Sequence, residues 1–298
     1  MGPTHQMALR TLVSTAVLAE HLRDPGWVVV DCRHDLFRPE AGRAEYEKSH
    51  IPGARFMHLD RDLAGPKTGT NGRHPLPDAA SFAAKLGAAG ISAGKQVIAY
   101  DAQDGTNASR LWWMLRWLGH ESVAVLDGGW PKWVGENRPC TTEVPHPRAA
   151  AFVPRTDGSG GTSGGRVDWA YVLSHLERQD MLIVDARSPE RFRGEAEPID
   201  PVAGRIPGAV CRYFRQNLDA DSCFRSAAEL RTDFETILGP HRPEHAVNSC
   251  GSGVSACHNL LAMEIAGLPG SRLYPGSWSE WCADPARPYE RGERGARG

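Results

Sequence analysis

The stretch Val28-Val29-Val30-Asp31-Cys32-Arg33 occurs again, in altered form, as Leu182-Ile183-Val184-Asp185-Ala186-Arg187. Two further segments return in the same order: Ile51-Pro52-Gly53-Ala54 as Ile206-Pro207-Gly208-Ala209, and Gly128-Gly129-Trp130 as Gly276-Ser277-Trp278. Because the order is kept, these echoes indicate an internal duplication, and we expect two copies of one fold.

Short β-branched runs alternate with helical patterns within each copy. Strands are predicted at residues 27–31, 96–100, 122–126, 181–185, 246–249 and 272–274. Helices are predicted at residues 12–22, 79–88, 107–118, 168–178, 227–238 and 254–266. Strands separated by helices indicate an α/β fold in which a parallel sheet is flanked by helices on both faces. Ligands of such sheets bind outside the carboxyl ends of the strands.

The length of 298 residues suffices for two domains of ordinary size. Between the copies the sequence is first Pro-rich and then Gly-rich, which is typical of a linker. We predict an N-terminal domain over residues 1–155, a Gly-rich linker over 156–166, a second domain over 167–286 and a disordered tail over 287–298.

The overall composition is that of a soluble globular protein, with 34 Lys and Arg against 36 Asp and Glu. This balance gives no indication of a nucleic-acid partner. No apolar run approaches the roughly 18 residues of a membrane span, and the polar first ten residues do not resemble a signal peptide. The sequence therefore predicts a cytoplasmic protein with no nucleic-acid or membrane partner.

The cysteines are spread widely and lack the close pairs that mark zinc sites. We predict that they are reduced thiols, and we predict no metal. They are seven in number: Cys32, Cys140, Cys211, Cys223, Cys250, Cys257 and Cys282.

One cysteine stands in a distinctive context, Ala246-Val247-Asn248-Ser249-Cys250-Gly251-Ser252-Gly253-Val254-Ser255-Ala256. This segment predicts a strand that ends at Cys250, a loop of small residues and then a helix. Backbone N–H groups at a helix N-terminus form an anion-binding nest, and Gly251 and Gly253 permit the backbone angles of such a turn. The same field stabilises a thiolate, so we predict that Cys250 is a nucleophile. The alternative is a cysteine that only fills space beside a tight turn.

The first copy has Asp101 at the position that corresponds to Cys250. An aspartate cannot act as a thiolate. We therefore expect the first domain to be chemically silent and to form a wall of the active-site cleft.

From about residue 10 to residue 285 the chain resembles the tandem-domain rhodanese family. The resemblance is carried by the Val-Asp-x-Arg strand ends, the Ile-Pro-Gly-Ala segments, the Asp127-Gly128-Gly129-Trp130 signature and the cysteine loop. It implies two similar α/β domains of which only the C-terminal one is active, through a persulfide on Cys250. It implies no metal or organic cofactor.

The cysteine loop also resembles the form found in family members that use 3-mercaptopyruvate. That resemblance implies transfer of sulfur from 3-mercaptopyruvate to a thiol acceptor such as thioredoxin, or to cyanide, with release of pyruvate. Thiosulfate:cyanide sulfur transfer is the alternative. A cysteine phosphatase would need an arginine six positions after the cysteine, where the chain has Ala256. A non-catalytic sulfur carrier or regulatory binding module stays open.

The family resemblance also implies roles for individual side chains. Arg187 and Arg193 match arginines that bind the substrate carboxylate, for which a guanidinium is well suited; alternatively they are solvated partners of nearby acids, Glu190 and Glu195. Ser252, His74 and Asp60 match a relay that manages protons, although Asp62 competes with Asp60 and a histidine beside prolines is often structural. The loop residues implied to contact the substrate are Gly251, Gly253, Val254 and Ser255.

Overall fold

The computed structural model describes residues 8–155, 165–178 and 180–293. The chain forms two compact units. The first contains Met1–Asp62 and Asp78–Gly161, and the second contains Leu63–Pro77 and Thr162–Gly298. Each unit holds one copy of the repeat, but residues 63–77 of the predicted N-terminal domain belong to the second unit. The predicted linker, residues 156–166, lies outside the described residues except for its last two positions.

The first unit is built on a parallel sheet of five strands in the order β1-β5-β4-β2-β3. Its strands are β1 (Leu12–Val13), β2 (Trp27–Asp31), β3 (Arg55–Phe56), β4 (Gln96–Tyr100) and β5 (Val123–Leu126). Its helices are α1 (Thr15–Glu20), α2 (Ala41–Lys48), α3 (Ala79–Ala88), α4 (Thr106–Trp117) and α5 (Gly129–Gly135). Adjacent strands of a parallel sheet need crossover connections, and most of these helices provide them.

The second unit is built on a parallel sheet of four strands in the order β7-β6-β8-β9. Its strands are β6 (Leu182–Asp185), β7 (Val210–Cys211), β8 (Ala246–Ser249) and β9 (Arg272–Leu273). Its α-helices are α6 (Trp169–His175), α7 (Pro189–Arg193), α8 (Ala227–Leu238), α9 (Ser255–Ile265) and α10 (Ser277–Trp281).

Alternate residues of the central strands of this sheet enter two different hydrophobic clusters. Ile183 and Val247 pack with Trp278 and Trp281 of α10, whereas Leu182 and Val184 pack with residues of α8 and α9. Since successive side chains of a strand point to opposite faces, both faces of the sheet are covered. The predicted α/β architecture is confirmed.

Several local predictions need correction. The predicted helix at residues 12–22 is a short edge strand, β1, followed by α1, because the Ser14 side chain accepts a hydrogen bond from the Val17 N–H and starts the helix only there. Residues 287–293 are not a disordered tail, because Glu290 pairs with Arg205 through two backbone hydrogen bonds and the Gly292 N–H donates to the Arg193 carbonyl. None of the helices in the described part of the chain has the length and apolar character needed to cross a bilayer.

The Asp-x-Arg motif makes the same buried ion pair in both units. The Arg33 guanidinium lies 2.7 Å from the Asp31 carboxylate, and Arg187 lies 2.7 Å from Asp185. In each unit the arginine also stacks over a tryptophan of the repeated signature, Trp130 in the first and Trp278 in the second. The motif therefore connects the end of one strand to the helix that contains the signature tryptophan.

We expect Asp31→Ala to lower the free energy of unfolding by about 3–5 kcal/mol, because it leaves the buried Arg33 charge without its carboxylate. Chemical denaturation measures the loss. Glu235→Ala, which removes a solvent-exposed partner of Arg231 on α8, is the control and should cost about 1 kcal/mol or less.

Hydrogen exchange locates the effect of Asp31→Ala. Amides of β2 and β4 should exchange faster, while those of β6 and β8 in the other unit keep their protection. Equal costs for the two substitutions would contradict the role given to the buried pair.

Candidate active site

Cys250 directly follows β8 and precedes the helix α9, at the carboxyl end of the sheet. The residue is 2% exposed. Its backbone N–H donates to the Ser277 hydroxyl at 3.1 Å, and its carbonyl accepts from the Trp278 N–H at 3.0 Å. The beginning of α10 therefore holds the cysteine in place from the neighbouring loop.

The sulfur of Cys250 accepts a hydrogen bond from the Gly253 N–H at 3.1 Å. Gly253 has a φ of +75°, and a Cβ at this position would lie 2.4 Å from the Pro275 carbonyl oxygen. Only glycine meets both demands, so the prediction that Gly253 permits the turn is confirmed. The sulfur therefore has a main-chain donor that an anion can accept.

Gly251 has a different purpose from the one that we predicted. It lies outside the left-handed region, so its backbone does not require glycine. A Cβ at position 251 would lie 2.6 Å from Arg73 Nη2 and 3.4 Å from Arg191 Nη2. The missing side chain therefore makes room for two guanidinium groups beside the cysteine loop.

The structure brings together two members of the predicted relay. His74 Nδ1 lies 2.8 Å from the Ser252 hydroxyl, and both side chains are buried. His74 belongs to the segment 63–77 of the second unit. The segment is fixed there, because the Arg73 N–H donates to the Ser279 hydroxyl at 3.0 Å.

The predicted acid of the relay, Asp60, lies in the first unit. Its backbone N–H donates to His58 Nδ1 at 3.1 Å, and its carboxylate lies 3.7 Å from His34 Nε2. The competing Asp62 accepts a hydrogen bond from the His58 backbone N–H. The assignment of Asp60 to the relay therefore stays a prediction.

His34, His58 and Asp60 also form a group of ligand atoms within 4.8 Å of one another. Both ring nitrogens of His58 already have partners, since Nδ1 accepts from Asp60 and Nε2 bonds to the Pro39 carbonyl at 3.1 Å. A metal ion would have to replace one of these bonds, so the group is better explained by packing.

The predicted substrate arginines have carboxylate partners of their own. Arg187 is buried and contacts Asp185, Glu197 and the Gly204 carbonyl. Burial disfavours its charge, yet Asp185 and Glu197 outweigh that effect and raise the pKa of the guanidinium. Arg33 makes the matching ion pair with Asp31 in the other unit. The pair between Arg187 and Asp185 is therefore a structural feature that both copies of the fold share.

Arg193 forms a half-exposed ion pair with Glu195 at 2.6 Å. This hydrogen bond raises the pKa of the Arg193 guanidinium. The contact agrees with the alternative considered for this residue, a partner of a nearby acid. Substrate binding by Arg187 and Arg193 stays a prediction.

The sequence reasoning missed Arg73 and Arg191. Arg191 and Arg193 are two positions apart on the short helix α7 and therefore cannot share a face. Arg191 is the one beside Gly251, and it is oriented by Glu197 at 2.7 Å and Asp200 at 3.2 Å. The Arg-His pair at positions 73 and 74 was a signal for Arg73, because a residue beside a predicted relay histidine must lie near the same site.

The remaining predicted contact residues lie where the helix begins. Val254 immediately precedes α9, and Ser255 is its first residue. Their contact with a substrate stays a prediction.

The loop of the first unit shows what this turn can bind. The Asp101 carboxylate accepts four backbone hydrogen bonds of 2.7–2.9 Å, donated by the N–H groups of Gln103, Gly105, Asn107 and Ala108. Burial raises the pKa of this carboxyl, although the four donors act in the opposite direction. The turn of this loop thus supplies four amide donors to the side chain at the end of the strand.

Other thiols lie in settings that disfavour ionisation. Burial raises the pKa of Cys32 well above its ordinary value, and it raises those of Cys211 and Cys282 to about 11. Cys257, on α9, is fully buried and its thiol donates to the Gly253 carbonyl at 3.3 Å. The Cys250 sulfur, in contrast to the Cys257 thiol, which donates, accepts a loop N–H.

The chain is similar to proteins of known sequence and structure. The family described as Rhodanese-like domain matches residues 14–136 and again residues 168–284. A probable 3-mercaptopyruvate sulfurtransferase of Pseudomonas aeruginosa is 43% identical over 96% of this chain and 100% of its own length. A putative thiosulfate sulfurtransferase of Mycobacterium tuberculosis is 34% identical over 95% of this chain and 98% of its own. The solved 3-mercaptopyruvate sulfurtransferase of Leishmania major superposes with a TM-score of 0.78 at 29% identity, covering 91% of this chain and 74% of that one.

We expect brief treatment with iodoacetamide near neutral pH to label Cys250 and the exposed Cys140 before Cys211 and Cys282. Alkylation needs the thiolate, and a thiol with a pKa of about 11 is almost entirely protonated near neutral pH. Labelling of Cys211 and Cys282 should therefore rise only as the pH approaches that value. Peptide mass spectrometry over a pH series measures the order, and early labelling of Cys211 or Cys282 would contradict it.

Proposed function

The chain belongs to the rhodanese family, and on that premise we propose that it takes sulfur from 3-mercaptopyruvate, holds it as a persulfide on Cys250 and passes it to a thiol. The Gly253 N–H directed at the Cys250 sulfur carries the proposal, because it stabilises both the attacking thiolate and the persulfide anion. The relatives from Pseudomonas aeruginosa and Leishmania major support the choice of donor.

In the first half-reaction the Cys250 thiolate attacks the sulfur of 3-mercaptopyruvate. A sulfur–sulfur bond forms, and the carbon–sulfur bond breaks with its electron pair moving to the carbon, which yields the enolate of pyruvate. The proton of the donor thiol balances this enolate. Ser252 and His74, joined at 2.8 Å, are placed to move that proton to the carbon and release pyruvate.

In the second half-reaction an acceptor thiolate attacks the outer sulfur and displaces the Cys250 thiolate. A small thiol, a reduced protein such as thioredoxin, or cyanide in an assay fits this chemistry. A cytoplasmic location is part of the proposal, because thiols are kept reduced in that compartment.

Arg191 is the best-placed group for the donor carboxylate. Its guanidinium lies beside Gly251, and Glu197 and Asp200 hold it from behind. A guanidinium oriented in this way can bind a carboxylate through two parallel hydrogen bonds. Arg187 and Arg193, the residues implied by the family resemblance, would act around it.

Thiosulfate is the second candidate donor, supported by the relative from Mycobacterium tuberculosis and by two guanidinium groups at one loop. The Cys250 thiolate would attack the outer sulfur, and sulfite would leave with the electron pair of the sulfur–sulfur bond. This route needs no proton on the leaving group.

We expect Cys250→Ser to lower turnover of either donor by about a thousandfold or more, because the hydroxyl cannot accept sulfur. The mass of the intact protein after incubation with donor provides a second measurement. Wild type should gain one sulfur atom and Cys250→Ser should gain none.

Cys140→Ser is the matched control, since it removes an exposed thiol and should preserve both turnover and the mass gain. Turnover that survives in Cys250→Ser would refute the persulfide scheme.

We expect Ser252→Ala to lower kcat for 3-mercaptopyruvate by about a hundredfold, because it disconnects His74 from the enolate that must be protonated. Transfer from thiosulfate should change little, since sulfite leaves without a proton. Steady-state assays with both donors and cyanide measure the difference.

Ser174→Ala, at an exposed position of α6, is the control for loss of a hydroxyl. An equal loss with both donors would show that Ser252 supports the loop rather than the proton transfer.

A further inference from the structure

A pocket lies at the edge of the first sheet, beside the strand β3. Its cavity volume is about 310 Å³, at the lower end of the range for sites of small molecules. It is bordered by α2, α3 and residues 144–147, which have no regular secondary structure. All of its lining residues belong to the first unit. The pocket is therefore separate from the site at Cys250, which belongs to the second unit.

Part of the lining of this pocket is apolar. Phe56 of β3 and Tyr46 of α2 line it with ring centroids 5.4 Å apart, and Pro145 and Pro147 line it as well. The Tyr46 hydroxyl already donates to the Ala54 carbonyl at 2.8 Å. These side chains therefore offer a ligand apolar contact rather than hydrogen bonds, and rings of this kind favour an aromatic ligand.

The rest of the lining is mostly cationic. Of the described residues that line the pocket, three are cationic and one, Asp62, is acidic. Lys85 forms an ion pair with Asp62 at 3.5 Å, and Arg43 forms one with Glu47 of the same helix at 3.2 Å. The third cation is Arg55. The excess of positive charge favours an anion in this pocket.

Arg55 has an orientation fixed by main-chain carbonyls instead of by an acid. Its Nε donates to the Ala89 carbonyl at 3.0 Å, and its Nη1 donates to the Gly53 carbonyl at 2.9 Å. In the described part of the chain, no carboxylate forms an ion pair with it. Burial lowers the pKa of the Arg55 guanidinium, because it disfavours the charged form. An anion bound beside this group would offset that cost.

The second unit shows that the repeated fold does not need an arginine at this position. Arg55 lies opposite Val30 in the register of β2 and β3, and Val210 lies opposite Val184 in the matching register of β6 and β7. Val210 packs against the hydrophobic cluster formed by α8 and α9. The first unit thus has a charged group where the second has an apolar contact, so Arg55 calls for an explanation other than the stability of the sheet.

We propose that this pocket binds a small aromatic monocarboxylate, whose carboxylate pairs with Arg55 and whose ring packs against Phe56 and Tyr46. The Nη2 group of Arg55 takes part in neither carbonyl bond and is the donor that remains for the ligand. Arg43 and Lys85 already have acidic partners. The charge left over among the described lining residues therefore matches a monoanion better than a phosphate dianion.

The main test titrates benzoate into the full-length protein and follows the backbone amides by NMR. We expect saturable shifts of amides in α2, β3 and α3, and these shifts decide the outcome whatever happens at the Cys250 loop. Benzamide has the same ring without the charge and should bind there at least about tenfold more weakly, the factor for a lost charge-assisted hydrogen bond. Acetate, which lacks the ring, should also bind more weakly than benzoate.

Two variants of Arg55 test its part in binding. Arg55→Val introduces the residue type that the second unit has at this register, and Arg55→Gln keeps a donor for the Ala89 carbonyl without the charge. Each should weaken benzoate at least about tenfold and leave benzamide nearly unchanged. Lys48→Gln is the control, because it removes an exposed cation of α2 that does not line the pocket, and it should preserve benzoate binding.

The possible results separate the site from the role of its arginine. If benzoate caused no saturable shifts in α2, β3 and α3, the site itself would be overturned. If benzamide bound there as tightly as benzoate, or if both Arg55 variants bound benzoate as wild type does, the pairing of a carboxylate with Arg55 would be wrong. None of these measurements depends on sulfur transfer by Cys250.

Discussion

The hydrogen bond from the Gly253 N–H to the Cys250 sulfur is the contact on which the chemistry of this fold depends. It exists because β8 ends one residue before the cysteine and α9 begins five residues after it, so the intervening backbone must turn sharply. The turn requires a left-handed residue that passes close to the Pro275 carbonyl. Strand, glycine and helix thus jointly direct a main-chain donor toward the Cys250 sulfur.

The charged side chains near this turn are arginines that border the loop and acids that pair with those arginines. Glu197 and Asp200 lie behind the arginines and fix them, while the arginines face the small residues of the loop. A guanidinium that is already oriented loses less conformational entropy when it binds an anion. The absence of a side chain at Gly251 also contributes to this arrangement, because a Cβ there would displace the guanidinium groups that border the loop.

The sequence predicted most of the fold, because hydrophobic periodicity and an internal repeat can both be recognised from the sequence alone. Strands β2, β4 and β8 and helices α3 and α8 have the predicted bounds, and Ser252 and His74 meet as expected. Short helices such as α7 were missed, since five residues provide too little periodicity. The positions of the arginines beside the loop were harder to predict than the short helices. Whether Arg191 or Arg193 faces the loop depends on the orientation of α7, and the place of residues 63–77 in the second unit depends on tertiary contacts that no local pattern encodes.

The first unit retains the same turn but fills it with its own carboxylate, since Asp101 receives four amide donors. The turn of the repeated fold therefore accommodates either a carboxylate or a thiol at the end of its strand, and the residue at that one position decides which group receives the amide donors. Replacing Asp101 by cysteine would exchange a carboxylate that accepts four amide hydrogen bonds for a single sulfur atom, which accepts weaker ones. Several buried amide donors would then lack an equally good acceptor, so we expect Asp101→Cys to lower the stability of the first unit.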